Sequence, residues 1–221
     1  NLGRGLIFTG RHALPDELPA ALRASPLRAP RRRRLRVPID LPSGLLNRAS
    51  VRALNAAIYR RPRAAAGLVP YDRFFYPLDA IEDWNRIYGR AGFVQFQCVV
   101  PAEDAGRGIG RMLDVVSGQG AGSFLAVLKR LGPGGGPLSF PMEGHTLALD
   151  IPASPAGVAL HRRLVDIALA HGGRIYLAKD AAAPANALQA GYPEHAAFAR
   201  ERLETGAAGR FASAQSERLG L

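Results

Sequence analysis

The sequence is short of several things at once. It has one cysteine, Cys98, so no disulfide can close within the chain. Its five histidines, His12, His145, His161, His171 and His195, lack metal-ligand spacing such as H-x-x-x-H, and no metal is expected. No apolar run approaches the roughly 18 residues a membrane helix requires, and the first residues do not read as a cleavable leader. The expectation is a soluble chain without a transmembrane segment, cytoplasmic or peripheral at the cell envelope. There is no G-x-S-x-G, no Cys/His pair and no close carboxylate pair, so hydrolase chemistry has nothing to rest on. The chain begins at Asn1 and not at methionine, and the expectation is that an upstream domain is missing.

Lysine is the other shortage. Of 29 basic residues only Lys129 and Lys179 are lysine. In a chain that avoids lysine this strongly, the survivors are candidates for positions where a compact ammonium cannot be replaced by a planar guanidinium. Chance retention at exposed sites is the bland alternative.

Positive charge, by contrast, is plentiful, at +11 net with a pI of about 10.9. It is concentrated: between Arg28 and Arg63, eleven arginines face Asp40 as the only acid, a net +10. The unbroken run Arg31 to Arg34, between Pro30 and Pro38, reads first as a solvated connector. Attraction to an anionic lipid surface or a phosphorylated substrate comes second. Nucleic acid comes last and is not expected as a partner, because no aromatic or motif signature accompanies the run.

With 48% hydrophobic residues in 221, the chain can bury one sizeable core or two small ones. Residues 1–72 read as a lead-in segment: a short strand at Leu6 to Thr9, a helical turn around Asp16 to Leu22 and the basic Pro/Arg connector. A helix comes next, capped by Ser43 and stopping near Pro62, whose Asn47, Val51, Leu54 and Ile58 form a face expected to meet the core. Residues 73–179 carry a regular pattern: a strand at 92–100, a helix near 103–117, strands at 123–131 and 145–151, a helix at about 157–170, and a strand at Arg174 to Lys179. This β-α-β-β-α-β order predicts an α+β fold, a ferredoxin-like split βαβ unit with an antiparallel sheet and helices on one face. Residues 180–221 read as a helical C-terminal docking tail.

In the strand 92–100, Phe93, Gln95, Gln97 and Val99 share one face and Val94, Phe96, Cys98 and Val100 the other. The second is core, with Cys98 a buried inert thiol. The glutamines make the first a surface that meets solvent or a ligand. Gly92 to Phe96 fits only the second half of the RNA-binding RNP1 signature, on the wrong strand. Gly106-x-Gly108-x-Gly110 lacks dinucleotide-binding spacing and falls within a helix, and Gly132 to Pro137, with no Lys-Ser/Thr after it, is a loop and not a phosphate cradle.

A longer pattern is more specific. Phe75-Tyr76-Pro77-Leu78-Asp79, Asp83-Trp84-Asn85-Arg86 with Tyr88-Gly89, Gly92 to Gln97, Val127-Leu128-Lys129, Pro137 to Pro141, Asp150, Gly172-Gly173-Arg174, Tyr176 with Ala178-Lys179-Asp180, and Arg210 to Ser213 lie in collinear order. In these the sequence resembles the FAD-linked oxidases of the vanillyl-alcohol oxidase type, most nearly the branch that oxidises decaprenylphosphoryl-β-D-ribose at its 2′ carbon. The resemblance implies FAD as cofactor, an FAD-binding domain as partner and a sugar or lipid-linked sugar as substrate, oxidised at a secondary alcohol with hydride transfer to flavin. It implies Lys179 as the catalytic residue, with Lys179 and Tyr176 against the cofactor, and Lys129, Gln95, Gln97, Tyr76 and Thr146 lining the substrate pocket. A role in bacterial cell wall biosynthesis and a peripheral membrane contact go with it. Ala148 and His145-Thr146 depart from the family's pattern where its pocket carries a cysteine and a Trp-Asn pair. A non-catalytic ferredoxin-like binding domain and a basic nucleic-acid-binding module are the alternatives.

Overall fold

Two long stretches of period-two alternation, at 93–101 and 144–152, lie side by side at the centre of the molecule. The computed structural model describes residues 7–28, 34–42, 44–60, 66–119, 123 and 125–221. A 3-10 turn (Pro15–Glu17) and α1 (Ala20–Arg23) come first, then β1 (Leu35–Arg36), α2 (Arg48–Arg60), α3 (Tyr71–Phe75) and β2 (Ile81–Glu82). β2 pairs in parallel with β1, joining the lead-in segment to residues that stand just before the main sheet. After a 3-10 turn at Trp84–Tyr88 come β3 (Phe93–Pro101), α4 (Ala105–Gly118), β4 (Ala126–Leu131), β5 (Gly144–Pro152), α5 (Pro155–Ala170) and β6 (Arg174–Ile175). A further 3-10 turn (Leu177–Lys179) leads to α6 (Ala187–Gly191), α7 (His195–Glu204) and α8 (Ala214–Leu219).

The main sheet is antiparallel at every pairing, in the order β4-β5-β3-β6. This is the split βαβ arrangement that the sequence predicts. Phe96, Cys98 and Val100 of β3 and Leu147, Leu149 and Ile151 of β5 point to one side. There they pack with Ile109 and Met112 of α4 and Leu160, Leu164, Val165 and Ala168 of α5. Cys98 is fully buried, its Sγ 3.7 Å from the Met112 sulfur, and burial pushes its thiol up to about 12. α5 starts where Ser154 Oγ accepts from the Gly157 amide at 3.0 Å and Pro155 presets the first turn. Of the three closely spaced glycines in α4, only Gly108 has a steric reason: a Cβ there would lie 3.1 Å from His171 Cγ and 3.3 Å from Val100 Cγ1.

Four expectations change. Residues 7–9 form no strand and Ile7 is 92% exposed; an isolated extended segment has no ladder to join, and Leu6 lies outside the described residues. α2 forms as predicted but buries none of its residues, with Leu54 and Ile58 both more than 40% exposed, so its apolar face is not core among the described residues. Its cap is Asn47, whose Oδ1 accepts from the Ala49 and Ser50 amides at 2.9 and 3.1 Å. Ser43 and Pro62, like Arg31, Arg32 and Arg33, lie outside the described residues. The last strand stops at Ile175, because the chain turns into a 3-10 helix and Lys179 stands on that turn.

The tail folds back on this chain. Leu188, Tyr192 and Leu219 make a second small core with Leu138, Leu177 and Leu221. Arg218 Nη2 pairs with Asp180 at 2.6 Å, and Gln215 Nε2 donates to the Leu177 carbonyl at 2.5 Å. Phe211, within the Arg210 to Ser213 stretch, stays 73% exposed. No helix among the described residues is long and apolar enough to cross a membrane.

Candidate functional site

The helices cover one face of the sheet, and the chemistry gathers on the other. Strand alternation puts Gln95 and Gln97 of β3, Thr146, Ala148 and Asp150 of β5, and Val127 and Lys129 of β4 on that face, in register as Gln95 with Asp150, Gln97 with Ala148, and Lys129 with Thr146. The polar groups of β3 and β5 are tied in two pairs. Gln95 Nε2 donates to Asp150 Oδ1 at 2.9 Å, and Gln97 Nε2 donates diagonally to Thr146 Oγ1 at 3.1 Å. Thr146 and Asp150 are buried, each 2% exposed, whereas both glutamines are half-buried, so the glutamines form the layer a ligand would touch. Lys129 is exposed on the edge strand.

Two turns border this face. The 3-10 turn at Trp84–Tyr88 enters through a left-handed Asp83, φ 55°, and stacks Tyr88 on Phe93 with ring centroids 4.6 Å apart. The Leu177–Lys179 turn is held to β3 by the Tyr176 amide, which donates to the Gln97 carbonyl at 2.9 Å. Tyr176 is half-buried, its ring centroid 4.6 Å from that of Phe140. Arg174 Nη1 donates to the Ser139 carbonyl at 2.8 Å and so pins the loop that carries Phe140. Lys179 is half-buried and makes no ion pair within 4.0 Å among the described residues.

Burial raises the proton affinity of the Asp150 carboxyl, while the Gln95 amide, the Lys179 charge and the Tyr88 hydroxyl pull it the other way. On the helix side His161 is fully buried, edge-on to Phe96 with centroids 5.4 Å apart. Burial lowers its proton affinity, and the backbones of Gln95 and Lys179 oppose that shift.

The structure therefore brings Gln95, Gln97 and Thr146 onto one face, places Lys129 in register with Thr146, and sets Tyr176 and Lys179 on the turn next to β3. Tyr76 stands off the sheet, at the end of α3, 55% exposed with its ring centroid 6.3 Å from that of Phe75. Asp150 and Tyr88 were not among the expected site residues. A signal for Asp150 existed, since the alternation that puts Thr146 on the open face puts Asp150 there too. For Tyr88 there was none, because an aromatic in a 3-10 turn carries no periodicity.

For a flavin, the residues present fit in kind. A half-buried cation without an ion-pair partner among the described residues and a half-buried aromatic stand on one turn, beside amides suited to hydroxyl groups.

No family model matches the sequence. The chain is 36% identical over 225 residues to the decaprenylphosphoryl-β-D-ribose oxidase of Mycolicibacterium smegmatis, an alignment that takes in 100% of this chain and 48% of that protein. It is 34% identical over 234 residues to a Streptomyces coelicolor protein described as an uncharacterized protein in the mprA 5′ region, taking in 99% of this chain and 62% of that protein. The resemblance read from the motifs thus runs along the whole chain, while the chain spans roughly half the length of these relatives.

Proposed function

We propose that this chain, similar along its whole length to a decaprenylphosphoryl-β-D-ribose oxidase, is the substrate-binding and C-terminal portion of an FAD-dependent oxidoreductase. Its substrate is a sugar or polyprenyl-phospho-sugar, oxidised at a secondary alcohol. The observation that carries this reading is the two hydrogen-bonded pairs, Gln95 with Asp150 and Gln97 with Thr146, on the helix-free face beside the turn that bears Tyr176 and Lys179.

Bound FAD would supply the acceptor for the hydride that leaves the alcohol carbon. Lys179 and Tyr176 would hold it, together with an FAD-binding domain outside this chain. The Lys179 ammonium stabilises negative charge that develops beside it during the reaction, the kind of preorganised electrostatic contribution that most lowers a barrier. Gln95 and Gln97 hold the sugar hydroxyls in one orientation, so that a single C–H bond is presented. Lys129, at the rim, suits a phosphate or an outer hydroxyl. The +10 stretch from Arg28 to Arg63 draws the protein to an anionic membrane surface, where a lipid-linked sugar of cell wall synthesis would reside.

The test is the absorption of this chain, alone and joined to an FAD-binding domain, near about 450 nm where an oxidised flavin absorbs. Flavin retained in the joined protein and bleached by a polyprenyl-phospho-pentose is the expected result. No flavin in either form would overturn the proposal and leave a non-catalytic binding domain.

A further inference from the structure

We propose that Asp150 is a positioning residue that sets the ligand specificity of the open sheet face by fixing the polarity of the Gln95 amide; this rests on the reading above that the face binds a polyol. An ionised carboxylate can only accept hydrogen bonds. Gln95 therefore gives its amide nitrogen to Asp150 Oδ1, at 2.9 Å, which leaves its carbonyl oxygen as the end that meets a ligand. Gln97 gives its nitrogen to Thr146 Oγ1 at 3.1 Å, but a hydroxyl donates as readily as it accepts, so it is Gln95 whose polarity its partner fixes. Both anchors are buried and both glutamines half-buried, so a ligand reaches the amides and not the groups that orient them.

Gln95 is thereby held with its carbonyl oxygen turned away from Asp150, one of its two amide hydrogens being taken by the carboxylate. That oxygen reads an O–H donor. A sugar hydroxyl satisfies it, and a ligand from which that hydroxyl has been removed leaves a polar oxygen unpaired. Further donors to the ligand come from Lys129 and Lys179. Tyr88 and Lys179 both act on the Asp150 carboxyl, opposing the rise in proton affinity that burial causes.

The experiment compares methyl β-D-ribofuranoside with its 2-deoxy and 3-deoxy analogues by titration calorimetry on the assembled flavoprotein, in wild type, Asp150→Leu and Asp150→Asn. In wild type, removal of the hydroxyl that meets Gln95 weakens binding about tenfold, the worth of one hydrogen bond to an otherwise unpaired group. Asp150→Leu, which frees the amide to turn over, loses that discrimination. Asp150→Asn, equal in size but able to donate as well as accept, also frees the amide and loses the discrimination, whereas a merely structural role, which this isosteric change preserves, would keep it. Discrimination intact in either variant overturns the inference and leaves the polyol reading standing. Failure of the wild type to bind any of the three sugars overturns both. A measurement that needs no variant runs alongside: the Gln95 side-chain amide protons of the wild type should exchange slowly by NMR, and exchange as fast as that of an exposed glutamine would also defeat the proposal.

Discussion

The hydroxyl of Tyr192, on the segment between α6 and α7, donates to the carbonyl oxygen of Ile175 at 2.6 Å and so ties the helical tail to the last strand of the sheet. Tyr192 is 1% exposed, and burial pushes its phenol up to about 12. The bond therefore persists across the working pH range, with the hydroxyl always a donor.

Removing only that hydroxyl, in Tyr192→Phe, leaves the Ile175 carbonyl short of a partner in a dry setting. Unfolding by urea should show a loss of about 1–3 kcal/mol. An unchanged midpoint would mean that the tail is not part of the cooperative unit.

The glycines of α4 should behave in opposite ways. Gly108→Ala places a methyl 3.1 Å from the His171 ring and 3.3 Å from Val100, and should destabilise by about 1–3 kcal/mol as the helix is pushed off the sheet. Gly106→Ala and Gly110→Ala meet open space and should stabilise by up to about 1 kcal/mol, because alanine is the better helix former. Calorimetric melting of the three variants reads this directly, and equal effects would contradict the packing described.

Two carboxylates should respond to pH with opposite sign. Asp104 is held below its ordinary value, chiefly by its hydrogen bond to His171 and also by Arg107, so its stabilisation is present above about pH 3.8 and is lost as pH falls through the lowered value. Asp150 is held above its ordinary value by burial, so it opposes folding when ionised and this opposition disappears on acidification. Urea midpoints from neutral to acid pH should show wild type losing ground to Asp104→Asn but gaining on Asp150→Asn. A shift in the same direction for both variants would refute the assignment of the two environments.

Lys179→Ala should lower kcat of the assembled flavoprotein by at least about 10²-fold, the usual effect of deleting a preorganised charge. Because Lys179 is only half-buried and lies outside both apolar cores, unfolding stability should stay within about 0.5 kcal/mol of wild type. Turnover near the wild-type rate would remove Lys179 from the machinery.

The sheet and its two covering helices were legible because their signals are local. Alternation at 93–101 and 144–152, and apolar spacing around Ile109 to Val116 and Leu160 to Leu169, each depend on a dozen residues. The polar face was legible for the same reason, since Gln95 and Gln97 break an otherwise apolar strand. What was not legible depends on distant partners. β6 ends at Ile175 because the chain turns into the Leu177–Lys179 3-10 helix directly after the Tyr176 amide bonds the Gln97 carbonyl, 79 residues earlier in the chain. α2 has the spacing of a core helix, yet spacing records only that a face exists and not what lies against it.

The strand order has a temporal consequence. Among the described residues β3 pairs with β5 and β6 only, and its nearest ladder partners, from Pro101 with Gly144 to Phe93 with Pro152, lie 43 to 59 residues further along the chain. At a synthesis rate of about 5–20 residues per second, a ribosome exposes this apolar strand roughly 2–12 s before it can be covered. The waiting strand carries Val94, Phe96, Cys98, Val99 and Val100, which is the sort of segment that chaperones bind. Translation order, more than local propensity, therefore sets the earliest moment at which this core can close.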